Sequence, residues 1–219
     1  MIDAILELQK PIMLFFQSIR VPAGDIFAKA VTYCGDAPVA ILVLLLVYWC
    51  VDKRLGFAFG GTLLPANFSM NILKVIFRVP RPWVQYPDEL ECILPSTATG
   101  YSFPSGHSTT SGALWGTAYK FSKKQWLKII SIILIILVPV SRVYLTCHWP
   151  MDVIVGTALG LSFSLILSKK MYALYDDEKH FGKVAVIIAT TTGAVGLVTA
   201  ILLEGGAIEA LLWKDLMET

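Results

Sequence analysis

The chain has 219 residues, 56% of them hydrophobic and 16% charged, with a mean hydropathy of +0.67 and a formal net charge of +2. So apolar a composition excludes an ordinary soluble domain and puts the chain in a bilayer. The small net charge, with no lysine and arginine cluster interleaved with aromatics, excludes nucleic acid as a partner.

Near the start, Asp3, Glu7 and Lys10 fall on one helical face opposite Ile2, Ile5 and Leu6. This predicts an amphipathic helix lying on the membrane surface. A basic n-region followed by an apolar core is missing there, so no cleaved signal peptide is expected. Phe27 to Cys34 continues the segment with no decisive pattern, and its placement stays open. Six stretches then read as spans: Ala37 to Val51, Leu55 to Leu73, Ser105 to Phe121, Trp126 to Leu145, Met151 to Ser168 and Val184 to Leu203. They are too long and continuous for barrel strands. The second is punctuated by Pro65, Asn67 and Asn71, whose polar groups are expected to face the bundle. With no repeat or linker, the expected fold is all-α: a single domain over 1–219, a polytopic membrane protein of six transmembrane helices with an N-terminal interfacial segment.

Alternation of six spans puts Lys53, Arg54, Lys120, Lys123, Lys124, Lys128, Lys169, Lys170, Lys179 and Lys183 on one side, which the positive-inside rule assigns to the cytoplasm. The opposite mouth gathers Lys74, Arg81, the Pro104-Ser105-Gly106-His107 stretch, Arg142, His148 and Asp152. Three cations at a membrane boundary need a partner, and a dianionic phosphate suits them. A helix beginning near Gly106 adds unpaired N–H groups, and Gly106 lets an oxyanion approach the backbone. His148 and Asp152, four apart, share a helical face, so the carboxylate can hold one ring nitrogen and leave the other to attack phosphorus. His107 can then serve the leaving-group proton.

Lys74-(x)6-Arg81-Pro82, Pro104-Ser105-Gly106-His107 and Ser141-Arg142-(x)5-His148-(x)3-Asp152 resemble the three-part signature of the type 2 phosphatidic acid phosphatase superfamily. The resemblance implies a six-helix core and metal-independent phosphoester hydrolysis through a phosphohistidine on His148. It also implies that His107 acts as acid and later base, and that Asp152 orients His148. Lys74, Arg81, Ser105, Gly106 and Arg142 would hold the phosphate. The N-terminal segment and the tail after Glu204 lie outside the signature.

Other features have plainer readings. Arg78, at i+4 from Lys74, reads as snorkelling to the interface. Trp83 and Trp149 read as interfacial belt residues. Gly112 with Gly116, and Gly156 with Gly160, fit close helix packing. Three scattered histidines and four cysteines without a C-x-x-C pair form no zinc motif, so neither metal nor cofactor is expected. Cys147 reads as an ordinary thiol facing the bundle, and pairing of Cys34 with Cys92 stays open.

The expected function is metal-independent hydrolysis of a lipid phosphomonoester or lipid pyrophosphate at the outer face of a bacterial cytoplasmic membrane. Undecaprenyl pyrophosphate, phosphatidylglycerol phosphate and phosphatidic acid are all admissible substrates on family grounds. The expected partners are the lipid phosphate and the bilayer. Lipid phosphotransfer, or phospholipid binding or flipping without turnover, are the alternatives.

Overall fold

The structure is a computed structural model describing residues 2–204. The chain divides into two units, one ending at Asp176 and one beginning at Asp177. The first holds α1 (Ile2–Ser18), α2 (Pro22–Tyr33), α3 (Ala37–Cys50), α4 (Lys53–Phe77), the short α5 (Pro82–Gln85), a 3-10 turn (Pro95–Thr97), α6 (Gly106–Phe121), α7 (Gln125–Tyr144) and α8 (Pro150–Leu174). The second holds α9 (Glu178–Glu204), which contains the expected Val184 to Leu203 span. No strand occurs among the described residues, and the protein is all-helical. The tail after Glu204 lies outside the described residues.

Local chemistry sets the helix ends. The Asp36 carboxylate accepts from Ala37 N–H at 2.8 Å, and Asp52 accepts from Arg54 N–H at 2.7 Å, each supplying an N-cap. Prolines fall in the first turns of α2, α3 and α8, where no intrahelical N–H is required. α4 stops at Arg78, whose φ of 48° is left-handed and turns the chain into the long segment leading to Ser105. Arg78 folds its Nε back to Val75 O at 3.1 Å and stays exposed, away from the polar mouth.

All six apolar stretches are largely helical, but among the described residues only α7 and α8 are each long and apolar enough to cross a bilayer. The α2–α3 pair passes as a third, bent by 48° at its break. Phe27 to Cys34 is thereby resolved as part of α2. The physical reason for the smaller count is visible in α6. Every residue from His107 to Leu114 is buried, so this helix is covered by protein and can be rich in Ser, Thr and Gly. On α4, Asn67 does face the bundle, accepting from Thr110 Oγ1 at 2.9 Å, whereas Asn71 is exposed, against expectation.

α1 is also more than a surface helix. Leu6 and Met13 are buried with Val79, Leu90, Val143, Trp149 and Val153. Its charged face is partnered, Lys10 Nζ meeting Glu89 Oε1 at 2.7 Å and Glu7 accepting from the Tyr86 hydroxyl, while Leu8 and Phe15 are exposed.

α6 packs most extensively against α8, and glycines permit it. A Cβ on Gly156 would stand 2.6 Å from Ser105 O, and one on Gly112 would stand 2.7 Å from Thr157 O. At Gly160 it would overlap the Thr109 carbonyl oxygen. The two backbones touch, as the glycine spacing predicts. Alanine in a helix normally gains about 0.5–1 kcal/mol over glycine. At Gly160 the overlap costs about 1–3 kcal/mol instead. Gly160→Ala is expected to lower the melting temperature in detergent, whereas Gly182→Ala, with open space around the added methyl, leaves it unchanged or raised.

Candidate active site

The polar mouth is built where α4, α6, α7 and α8 end or begin, and the segment from Arg78 to Ser105 closes over it. Arg81 is the N-cap of α5 and is 5% exposed. Its Nε donates to Gly100 O at 2.8 Å, Nη2 to Thr99 O at 2.6 Å, and Nη1 to Cys147 O at 2.8 Å. Gly100 has φ +61°, the left-handed turn that directs these successive carbonyls at one guanidinium. Lys74, in the last turn of α4, donates its ammonium to Tyr101 O and to Ser102 O. Both cations are held by neutral acceptors, so their charge is left uncompensated.

His148 lies in the turn between α7 and α8, 2% exposed. Arg81 Nη1 stands 3.1 Å from its Nε2. Arginine can only donate, so Nε2 is the accepting, unprotonated nitrogen of the ring. Nδ1 stands 3.3 Å from Asp152 Oδ2 and carries the proton toward it. That same oxygen accepts from Trp149 N–H at 2.9 Å and from the Ser102 hydroxyl. Asp152 thus caps α8 while orienting the imidazole. Burial, followed by the positive charges of Arg81, Arg142 and Lys74, pushes the His148 pKa well below the ordinary histidine range. Arg81 is lowered to about 10, by burial first and then Arg142, and stays charged at neutral pH.

His107, in the first turn of α6, faces the break between α2 and α3. A Cβ on Gly35 would lie 2.7 Å from His107 O, so glycine is needed for this approach. His107 Nε2 is 3.7 Å from Asp36 Oδ1 and has no hydrogen-bond partner. Arg142, fully buried, donates Nη1 to Thr32 Oγ1 at 3.1 Å and to Thr97 Oγ1 at 2.9 Å, and its Nε has no partner either. Among the described residues these are the two buried side-chain N or O atoms without a partner. Each such group costs about 1–3 kcal/mol, and an anion between the cations would satisfy them.

The structure thus brings Lys74, Arg81, His107, Arg142, His148 and Asp152 to one mouth, with Ser105 and Gly106 at the start of α6. One donor differs from expectation. Ser105 N–H is taken by Asp152 O at 3.0 Å, and its buried hydroxyl caps α6, accepting from Ser108 N–H at 3.4 Å and from the Ser108 hydroxyl at 3.0 Å, so its amide is not free for an anion. The first-turn N–H of Gly106 has no intrahelical acceptor. Trp149 departs from the belt reading. Trp149 is fully buried and donates Nε1–H to Pro80 O at 2.9 Å, while Trp83 lies under the Arg81 guanidinium at 5.5 Å. Thr32, Asp36, Thr97, Thr99, Tyr101 and Ser102 were not singled out by sequence reasoning. Only Ser102 carried a signal, by its place just before the Pro104 motif.

This arrangement places buried cations and two histidines at one end of the helix bundle of an integral membrane protein. A model for the PAP2 superfamily matches residues 54–176, a segment that includes the whole three-part signature, and the chain belongs to that superfamily. Undecaprenyl-diphosphatase of Sulfolobus acidocaldarius is 40% identical over 76 residues, covering 34% of this chain and 35% of the relative. Probable sphingosine-1-phosphate phosphatase of Dictyostelium discoideum is 30% identical over 169 residues, covering 71% and 41%. The matched regions therefore span less than half the length of these two relatives. Among solved structures, Aquifex aeolicus LpxE shares the fold, with a TM-score of 0.66 at 24% identity over 74% of this chain and 95% of that one.

The unpartnered donors generate a binding prediction independent of turnover. Millimolar orthophosphate or orthovanadate is expected to raise the melting temperature of the purified protein. Arg142→Gln, which stays polar but removes the charge and the guanidinium, should abolish that response.

Proposed function

We propose that the protein is a metal-independent lipid phosphatase that forms a phosphohistidine on His148. The observation that carries this reading is the paired contact on one imidazole: Asp152 on Nδ1 at 3.3 Å and a donor-only guanidinium on Nε2 at 3.1 Å. Together they hold the Nε2 lone pair beside three cations, the arrangement an attacking nitrogen needs.

The steps follow from the geometry. The phosphate of a lipid monoester or pyrophosphate sits among Lys74, Arg81, Arg142, the Ser105 hydroxyl and the Gly106 N–H. His148 Nε2 attacks phosphorus, the bond to the lipid-side oxygen breaks, and that oxygen takes the proton from His107. Water then gives a proton to His107 and attacks the phosphohistidine, and the N–P bond breaks to release inorganic phosphate. In this reading the bound phosphate dianion, with Asp36 3.7 Å from His107 Nε2, favours the protonated imidazole before the first transfer, against burial and the neighbouring Arg142, Arg81 and Lys74. In this reading Lys74, Arg81 and Arg142 neutralise the transferring group.

The end of the bundle away from the site carries Lys53, Arg54, Lys123, Lys124, Lys169 and Lys170. This bias supports six spans in a bacterial cytoplasmic membrane with the site on the extracytoplasmic face. The 40% local identity to an undecaprenyl-diphosphatase makes an isoprenyl pyrophosphate the first substrate to assay.

His148→Ala is expected to release no phosphate from any lipid, and wild type to release it equally with EDTA. Turnover by His148→Ala at the wild-type rate would remove the nucleophile. His107→Ala is expected to lose about 10²–10⁴-fold on lipid substrates and far less on an activated aryl phosphate. Asp36→Asn, which still caps α3, should reproduce the same selectivity at about tenfold; equal losses on both substrates would overturn the acid role.

The lowered His148 pKa sets the pH dependence. Because the neutral ring is the reactive form and its protonation is displaced to lower pH, the acid limb of kcat/KM is expected below about 6.5. A pH profile with its acid limb at or above that value would contradict it.

A further inference from the structure

Cys92 and Cys147 belong to segments far apart in sequence, yet their sulfurs are 3.3 Å apart. Closure to a disulfide, at about 2.05 Å, requires an approach of about 1.3 Å. The surroundings hold the two segments in register. Ile93 N–H donates to Leu145 O at 3.4 Å, Cys147 N–H donates to Arg142 O at 2.9 Å, and Cys147 O is tied to Arg81. Cys147 is fully buried with Leu145, Ala28 and Ala98, whereas Cys92 is half-buried beside the exposed Glu91. Cys50 is exposed, and Cys34 is half-buried with its carbonyl accepting from Trp115 Nε1–H at 2.9 Å.

We propose that Cys92 and Cys147 form a redox-active dithiol that closes to a disulfide by exchange with a small-molecule disulfide, tying the outer segment to the turn that carries His148. The accessible Cys92, as thiolate, attacks one sulfur of the external disulfide, whose S–S bond breaks to release one thiolate and leave a mixed disulfide. Cys147 sulfur then attacks the Cys92 sulfur, the mixed disulfide breaks, and a second external thiolate leaves. The two protons of Cys92 and Cys147 pass to those two thiolates. The chain loses two hydrogens, and the external disulfide is reduced to two thiols.

Access sets this order, because Cys92 is half-buried and Cys147 fully buried, and the electrostatics act on the second step. The hydrogen bond from Cys92 brings the Cys147 thiol down to about 7, with Arg142, Arg81 and Arg20 acting in the same sense against burial. The same hydrogen bond, and burial, raise Cys92. In the mixed disulfide Cys92 no longer donates, and Arg142, Arg81 and Arg20 continue to favour the Cys147 thiolate, which suits Cys147 to resolve the mixed disulfide and to leave first when a reductant attacks Cys92. Persistence of the bridge in the cell, though not its chemistry, rests on the extracytoplasmic orientation proposed above.

The test uses the purified full chain in detergent, reduced, freed of reductant, incubated with oxidised glutathione and quenched with N-ethylmaleimide before peptide mass spectrometry. The expected result is alkylated Cys34 and Cys50, a cross-linked peptide joining Cys92 to Cys147, and recovery of both thiols with dithiothreitol. Cys147→Ser should instead trap a stable glutathione adduct on Cys92. Oxidised wild type should melt several degrees higher than reduced protein, and Cys92→Ser should lose this difference. Alkylation of both thiols in wild type, or a lasting glutathione adduct on Cys92 beside a free Cys147, would overturn the proposal. The readout needs no substrate, so it is separable from the phosphatase assignment.

Discussion

The backbone contact between α6 and α8 is the constraint on which the site depends. Gly112 of α6 lies against Thr157, Gly160 and Leu161 of α8, Gly160 lies against Thr109 and Ala113, and an added Cβ at Gly156 would strike the Ser105 carbonyl. Ser105 is the N-cap of α6, and Gly156 lies one turn beyond Asp152. The glycine contact therefore sets the start of the helix bearing His107 against the start of the helix that follows His148. A hydrogen bond from Ser105 N–H to Asp152 O at 3.0 Å completes the junction. Any side chain larger than hydrogen in this seam would move the two histidines apart before disturbing either one locally.

A second constraint is electrostatic. Lys74 and Arg81 are anchored by the carbonyls of Thr99, Gly100, Tyr101, Ser102 and Cys147, and Arg142 by two threonines. Carboxylates in those places would have neutralised the cations and filled the site. Neutral acceptors satisfy hydrogen-bond geometry and leave the field intact. Asp152 is turned toward His148, Ser102 and Trp149, and Asp36 toward His107 and its own helix cap, so each acid supports a histidine.

Much of this was legible in the sequence, because helix periodicity and alternation carry Lys74, Gly106, Arg142 and Asp152 to one end without tertiary detail. The glycine spacing foretold the α6–α8 contact for the same reason. What was not legible depends on the irregular segment from Arg78 to Ser105. Thr97, Thr99 and Tyr101 act mainly through backbone or hydroxyl groups whose direction is set by one left-handed glycine, and no residue-type pattern encodes that. Asp36 caps α3, and its approach to His107 depends on Gly35, whose role appears only when α6 is packed against it. Trp149 reads as interfacial in the sequence, yet its indole bonds Pro80 and packs with Leu6 and Met13 of α1, a helix read as lying on the surface. Hydropathy measures what faces lipid, and α6 faces protein, so length and composition single out fewer helices among the described residues than the six expected spans.

The contact between Arg81 and His148 gives the resting site a further property. Nη1 has two hydrogens, one directed to Cys147 O and the other to His148 Nε2, while Nε and Nη2 are fixed on Gly100 O and Thr99 O. The guanidinium cannot swing away without losing these bonds. A dianionic phosphoryl oxygen, a stronger acceptor than a neutral imidazole, can take the second Nη1 hydrogen while the other contacts persist. On the proposed reading, arrival of the phosphate frees the lone pair that attacks it, so the nucleophile is exposed only when its target is in place.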